Sequence, residues 1–219
     1  MAHALRLAKQ GMYTTRPNPN VGCVIVKDDK VVGEGFHYRA GEPHAEIHAL
    51  NEAAGNAAGA TAYVTLEPCS HTGRTPPCAN ALIQAGVARV VVAMTDPNPR
   101  VSGEGINRLR EAGIEVVEGI LGSSAEMLNQ GFIKRMRTGR PYVRVKLAMS
   151  LDGRTAMASG ESKWITGADA RADVHRMRAM SGAVVTGSGT VLADDPSMHF
   201  RPDEFPRLKN EISVDAAQP

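Results

Sequence analysis

The 219-residue sequence is 42% hydrophobic and 22% charged, with one Trp, four Tyr and four Phe, and its 25 basic and 23 acidic side chains leave a formal net charge of +2. Such a composition fits a globular chain of one large domain or two unequal ones, and the near-neutral balance without a long basic run argues against a dedicated nucleic-acid or acidic-membrane binder. The longest apolar stretches, such as Val90 to Met94, fall far short of the ~20 residues that span a bilayer, and Met1 to Gln10 lacks the apolar region of a signal peptide, so a cytoplasmic protein is expected.

Ala4, Leu5, Leu7 and Ala8 stand at helical spacing before Gly11, and a proline-rich loop, Arg16 to Asn20, follows. Val21 to Val26, a polar turn at Lys27 to Lys30, and Val31 to Gly35 predict a β-hairpin with a buried first arm. The Ala-rich stretch from Ala45 to Ala58 predicts a helix starting near His44, and Thr61 to Leu66 a short strand that ends at Glu67-Pro68. Next come a helix from Ala79 to Ala85 and a Val-rich strand from Arg89 to Thr95, of the kind buried on both faces of a sheet. A loop at Asp96 to Pro99, a helix from Ile106 to Ala112, a strand from Ile114 to Gly119 and one long helix from Ser124 to Arg137 with Ser124 as N-cap complete a layered α/β unit. Thr138 to Pro141 is the expected boundary. Beyond it, Tyr142 to Met149 and Ala183 to Thr186 predict strands, and Ala168 to Met180 a helix.

Three cysteines do not make a disulfide framework, and two of them lie in a metal-like pattern. His44-Ala-Glu46, then Glu67-Pro-Cys69, then Cys78 supply one imidazole and two thiolates, a set that suits Zn²⁺ and leaves its fourth tetrahedral position open, as in catalytic sites. Glu46, two residues past the histidine, can move protons without binding the metal. Both cysteines are expected at or near helix amino ends, where the dipole favours thiolate. H-x-E followed by P-C-x-x-C is a signature of zinc-dependent nucleobase deaminases; here eight residues separate the cysteines instead of two, so an extra loop reaches across the site. His48, four residues after His44, is expected to pack, and Cys23, inside an apolar strand, to act as a small hydrophobe. Two other readings compete: a nucleic-acid base deaminase, which needs a basic groove or stacking platform that charge and aromatic content disfavour, and a nucleotide-binding scaffold around a closed structural zinc.

Pro17-Asn-Pro-Asn-Val-Gly-Cys23, Gly41-Glu-Pro-His-Ala-Glu46 and Thr65-Leu-Glu-Pro-Cys-Ser-His-Thr-Gly-Arg-Thr-Pro-Pro-Cys78 resemble the bifunctional riboflavin-biosynthesis deaminase/reductases. So do Lys146-Leu-Ala-Met-Ser-Leu-Asp-Gly-Arg154, Trp164-Ile-Thr166 and Val191-Leu-Ala-Asp-Asp-Pro196. The resemblance implies an α/β protein in which a cytidine-deaminase-like α/β/α domain over residues 1–140 precedes an incomplete dihydrofolate-reductase-like domain over residues 141–219. The first would deaminate a diaminopyrimidinone ribosylamine phosphate, a small pyrimidine ribotide, and the second would reduce its ribosyl group with NADPH. By the same resemblance His44, Cys69 and Cys78 hold one zinc per chain, and Glu46 shuttles protons. Asn18, His37, His71, Arg74, Asp96 and Asn98 surround the pyrimidine and its ribose phosphate, Arg74 falling where relatives can carry lysine. For Asp96 and Asn98 ordinary turn chemistry around two prolines competes with that role.

In the second domain the resemblance places Ala148, Trp164, Thr190 and Asp194 near NADPH, and Ser162, Arg178, Met198 and Arg201 near the sugar phosphate. Met198 stands where leucine is more usual, and for Arg178 a solvated basic face shared with Arg171 and Arg176 is the competing reading. Gly187-Ser-Gly189 is compatible with phosphate approach, but Leu192 occupies the third glycine position of the dinucleotide fingerprint. In the family the reductase continues past Arg201 with strands that the polar tail from Pro202 cannot replace, so weak or no NADPH oxidation is expected. An exposed half-built domain also makes self-association, as a homodimer, an expectation.

Overall fold

Helix α1 (Ala2–Gln10) forms where the apolar spacing puts it and buries Ala4, Leu5, Leu7 and Ala8, in a computed structural model that describes residues 1–71, 77–99 and 101–201. It lies against β1 (Gly22–Lys27), and the approach demands glycine: a Cβ on Gly22 would stand 2.1 Å from the Ala4 carbonyl oxygen. β1 pairs antiparallel with β2 (Lys30–Phe36) through Asp28 and Asp29, whose φ angles of 48° and 58° make the two-residue turn with positive φ at both centres that suits the twist of a hairpin.

On the opposite face β2 carries α2 (Ala45–Ala53), which is alanine-rich for the same reason that β2 has glycines. Added Cβ atoms would reach 2.1 Å from the Ala49 oxygen at Gly33 and 2.5 Å from the His48 Cβ at Gly35. The helix is shorter than the composition predicts, because Ala54 turns left-handed at φ 47° and ends it.

β3 (Thr61–Val64) pairs antiparallel with β1, and the chain then crosses by α3 (Cys78–Gln84) to β4 (Arg89–Val92) and by α4 (Glu104–Glu111) to β5 (Glu115–Glu118). β3, β4 and β5 are parallel, so each junction needs a crossover helix, and the sheet order is β2-β1-β3-β4-β5. Between the sheet and one helix layer lie Cys23, Ile25, Val64, Leu82, Val90, Val92, Ile106 and Leu109; Leu82, Leu109 and Ile25 are fully enclosed, each contributing about 2–3 kcal/mol of transfer free energy. On the other face Leu5, Leu66, Ala93, Met94, Ala125 and Ile133 form a second cluster under α1 and the two helices that follow β5.

Those two helices replace the single one predicted from Ser124 to Arg137. α5 (Gly122–Leu128) starts after a left-handed Leu121 and not at a serine cap, and α6 (Gln130–Thr138) begins past Asn129. Asn129 is taken out of helical geometry by Asn20: the Asn20 N–H donates to Asn129 Oδ1 at 2.7 Å, Asn129 Nδ2 donates to the Asn20 oxygen at 3.0 Å, and Asn20 Nδ2 donates to the Leu128 oxygen at 3.2 Å. Gly139 closes α6 at φ 66°, the left-handed stop that glycine adopts without strain.

The described residues divide into two bodies, Met1–Tyr142 and a second from Val143 onward. In the second, α7 (Ala168–Ala179) is the predicted helix, while Gly187 caps an unpredicted α8 (Ser188–Asp194). The strands expected at Tyr142 to Met149 and Ala183 to Thr186 do not form among the described residues. Their β-branched pattern supplies propensity, but a strand forms only within a ladder, and no described strand pairs with either segment.

Candidate active site

The parallel strands β3 and β4 end side by side, and the loops that leave their carboxyl ends build a cavity of about 510 Å³ in the first body. From β3 come Leu66, Glu67, Cys69 and His71; from β4 come Asp96 and Asn98; the first turn of α2 adds His44 and Glu46, the loop after α1 adds Asn18, and the end of β2 adds His37. All the deaminase positions named from the sequence lie on this one cavity, or at its metal-ligand cluster in the case of Cys78, except Arg74, which lies outside the described residues.

His44, Cys69 and Cys78 offer one imidazole nitrogen and two sulfurs, all within 4.8 Å of one another. His44 Nδ1 stands 3.2 Å from Cys78 Sγ and 3.6 Å from Cys69 Sγ. A tetrahedral zinc with ordinary Zn–N and Zn–S bonds separates such ligand atoms by about 3.6 Å, so this donor set fits the ion. Cys78 opens α3 as predicted, and its N–H donates to Cys69 Sγ at 3.3 Å; Cys69 itself sits in the loop after β3 and not at a helix start. Hydrogen bonds from Cys78 and then from His44 hold the Cys69 thiol far below its ordinary range, while the Cys78 thiol is pushed up by its bond to Cys69 and by burial. The bond to Cys69 in turn raises the His44 pKa.

Glu46 is 3% exposed, and desolvation, followed by the nearby Cys69 charge, raises its carboxyl to about 7. A carboxyl with that affinity both takes and returns a proton near neutrality. His37 is buried, and burial lowers its pKa, so the ring is neutral; its Nδ1–H donates to the Pro43 oxygen at 3.2 Å, and its Nε2 accepts from Asn18 Nδ2 at 3.0 Å. That tautomer fixes the Asn18 amide, leaving its carbonyl oxygen as the acceptor it can offer to the cavity. Asp96 and Asn98 do engage in turn chemistry, the Asn98 N–H donating to Asp96 Oδ1 at 2.8 Å, and they line the cavity as well. His48 packs under β2 outside the ligand cluster, and Cys23 is fully buried in the core.

Two features escaped the sequence reading. α6 supplies a wall of Phe132, Arg135 and Met136, with Arg135 Nη2 donating to the Pro17 oxygen at 3.2 Å, and Glu67 lines the cavity as a buried carboxylate. An amphipathic helix more than 50 residues beyond the last of the ligands carries no motif that points to the site.

In the second body, Arg178 donates from α7 to the carbonyls of Ser197 and His199 at 3.1 and 3.2 Å, and Arg201 Nη1 donates to the same Ser197 carbonyl at 3.2 Å. Arg178, Met198 and Arg201 are thus brought together, and Arg178 is not merely a solvated charge. Ser162 lies in an exposed loop, and Gly187-Ser-Gly189 opens α8 instead of forming a phosphate loop. Thr190 and Asp194 are exposed one turn apart on α8, Ala148 is half-buried, and Trp164 is exposed with the Arg171 guanidinium 4.6 Å from its ring centre. Open positions of this kind do not fit an enclosed nicotinamide site.

Comparison with known proteins supports the two-part organisation. Residues 1–94 match the cytidine and deoxycytidylate deaminase zinc-binding region, and residues 141–214 match the RibD C-terminal domain. The riboflavin biosynthesis protein RibD of Escherichia coli K12 is 66% identical over 205 residues, covering 94% of this chain and 56% of that protein. The protein of the same description from Haemophilus influenzae is 64% identical over 212 residues, 96% of this chain and 57% of its own length. Among solved structures, Acinetobacter baumannii RibD aligns with a TM-score of 0.87 at 64% identity, over 91% of this chain and 56% of that one. A deaminase/reductase from Thermotoga maritima aligns at 0.87 and 46% identity, over 92% and 58%. The chain spans just over half the length of the relatives it matches. The fold is accordingly a cytidine-deaminase-like domain followed by a RibD C-terminal, reductase-like segment. No helix among the described residues is long and apolar enough to cross a membrane.

Proposed function

The chain belongs to the family of the bifunctional riboflavin-biosynthesis RibD proteins, and from that premise we propose that its first domain, residues 1–140, is a zinc-dependent deaminase of a diaminopyrimidinone ribosylamine phosphate. The observation that carries this reading is the three-ligand set His44, Cys69 and Cys78 with the buried Glu46 beside it on one cavity. Three protein ligands, and no fourth in the cluster among the described residues, suit a catalytic zinc better than a closed structural one. One zinc per chain, when bound, supplies activation of a water for attack on the amine-bearing ring carbon. Glu46 accepts the proton of that water on its carboxylate, delivers it to a ring nitrogen and then assists ammonia to leave. Asn18, fixed by neutral His37, together with His71, Asp96 and Asn98, orients the pyrimidine; Arg74 is assigned to the phosphate. The reduced thiols this site needs support a cytoplasmic location.

For the second segment, residues 141–219, we infer an NADPH-dependent reductase role, supported by its match to the RibD C-terminal domain over residues 141–214. Ala148, Trp164, Thr190 and Asp194 are assigned to NADPH, and Ser162, Arg178, Met198 and Arg201 to the sugar phosphate. Because the cofactor positions stand open, hydride transfer by these residues alone is expected to be weak or absent.

The test is zinc content and ammonia release from the ribotide, comparing the parent with Glu46→Gln. The variant is expected to bind one zinc and lose at least about a hundredfold in kcat, the scale of a general acid–base group. Full activity in the zinc-loaded variant overturns the shuttle role. Ammonia released from tRNA or single-stranded DNA but not from the ribotide replaces the substrate class.

A further inference from the structure

Glu67 stands two residues before Cys69 and is 4% exposed, yet the proton transfers assigned to Glu46 make no use of it. Its carboxylate accepts four backbone N–H groups. Oε2 takes those of Asp96 and Gly103, each at 3.0 Å, and Oε1 takes those of Gly105 at 2.9 Å and Ile106 at 3.3 Å. Three of the donors belong to the N-cap and first turn of α4. A helix start usually finds such acceptors in its own cap side chain, but the cap of α4 is Gly103, and the acceptor arrives from 36 residues upstream. The fourth donor is Asp96, on the cavity wall.

The same region is tied to both thiol ligands. A Cβ on Gly105 would lie 1.9 Å from the Pro68 oxygen, so the start of α4 rests directly on the backbone that leads into Cys69. One turn later, Arg108 donates to the Ser70 oxygen at 2.9 Å and to Asn80 Oδ1 at 3.1 Å, next to Cys69 and near Cys78. A carboxylate has about four lone-pair directions, and four N–H donors occupy them, so Glu67 has none left for a substrate.

We propose that Glu67 is the positioning residue of this site, holding Asp96 and Asn98 in register with the two thiol ligands through α4. The proposal rests on the deaminase reading of the cavity and adds to it a residue that acts only through the groups it holds. Glutamine has the same shape, but its NH₂ end would face N–H donors, so whichever way the amide turns, two of the four bonds are lost.

The experiment uses the full chain with Glu67→Gln, Asp96→Asn and the double variant. It reads zinc content, KM and kcat for the ribotide, and hydrogen exchange at the amides of Asp96, Gly103, Gly105 and Ile106. Glu67→Gln is expected to keep one zinc, to raise KM about tenfold, the scale of a lost charge-assisted hydrogen bond, with a smaller change in kcat, and to exchange faster at these amides. In the Asp96→Asn background it is expected to add little to KM, because both changes act on the same group. A wild-type KM in zinc-loaded Glu67→Gln overturns the proposal, and so do effects that multiply in the double variant. Glu67→Asp keeps the charge but withdraws it by one methylene, and is read in the same way if the glutamine variant does not fold. A parent chain that releases no ammonia sinks the deaminase reading, whereas unchanged exchange at the four amides sinks the clamp itself.

Discussion

Asp96 holds its carboxyl at the cavity wall with a proton affinity raised from 3.8 to about 6, first by burial and then by the charges of Glu67 and Cys69, against the opposing effect of the Asn98 N–H. Unfolding restores the ordinary value, so between about pH 4 and 6 the folded chain binds more protons at this group than the unfolded chain does. Stability therefore falls as pH rises through that window, because the charged form is the one the cavity disfavours. Asp96→Asn keeps an oxygen for the Asn98 N–H and removes the ionisation. Its urea midpoint is expected to match the parent's near pH 4, to exceed it progressively up to about pH 6, and to stay above it at higher pH. A midpoint difference that does not change with pH would show that the carboxyl is not held in this way. A group kept at a cost in stability is one that the cavity retains for its chemistry.

The break between α5 and α6 sets two walls of the cavity at once. Asn129 joins the loop carrying Pro17, Asn18 and Pro19 to the helix carrying Phe132, Arg135 and Met136. Asn129→Ala removes both side-chain bonds to the Asn20 backbone and is expected to cost about 2 kcal/mol, seen as a lower urea midpoint with an unchanged slope, and to raise KM more than kcat. The same residue shows where the sequence stops being informative. Periodicity from Ser124 to Arg137 runs unbroken, and the interruption comes from a partner 109 positions away, which no local pattern encodes. The hairpin at Asp28-Asp29, α1 and α3 were legible because turn chemistry and apolar spacing act within a few residues. His44, Glu46, Cys69 and Cys78 were legible because a metal demands particular side chains at particular separations. Glu67 was not, since its partners are backbone N–H groups, which have no identity in a sequence.

At the scale of the whole molecule, the second body presents a row that folding of the described residues does not cover. Val143, Val145 and Leu147 alternate along one extended segment at 72%, 77% and 68% exposure, and no described strand pairs with it. An exposed apolar row of strand-forming residues offers a surface that water disfavours, and a second copy of the chain carries the same row. Self-association through this segment is therefore expected, visible in sedimentation velocity as a mass that grows with protein concentration. Changing Val145 and Leu147 together to lysine places like charges along the row, and is expected to return the chain to a monomer while leaving zinc content and ammonia release unaltered, since neither residue lines the cavity. A parent chain that stays monomeric at all concentrations, or a lysine variant that associates as the parent does, would show that the row is not the contact.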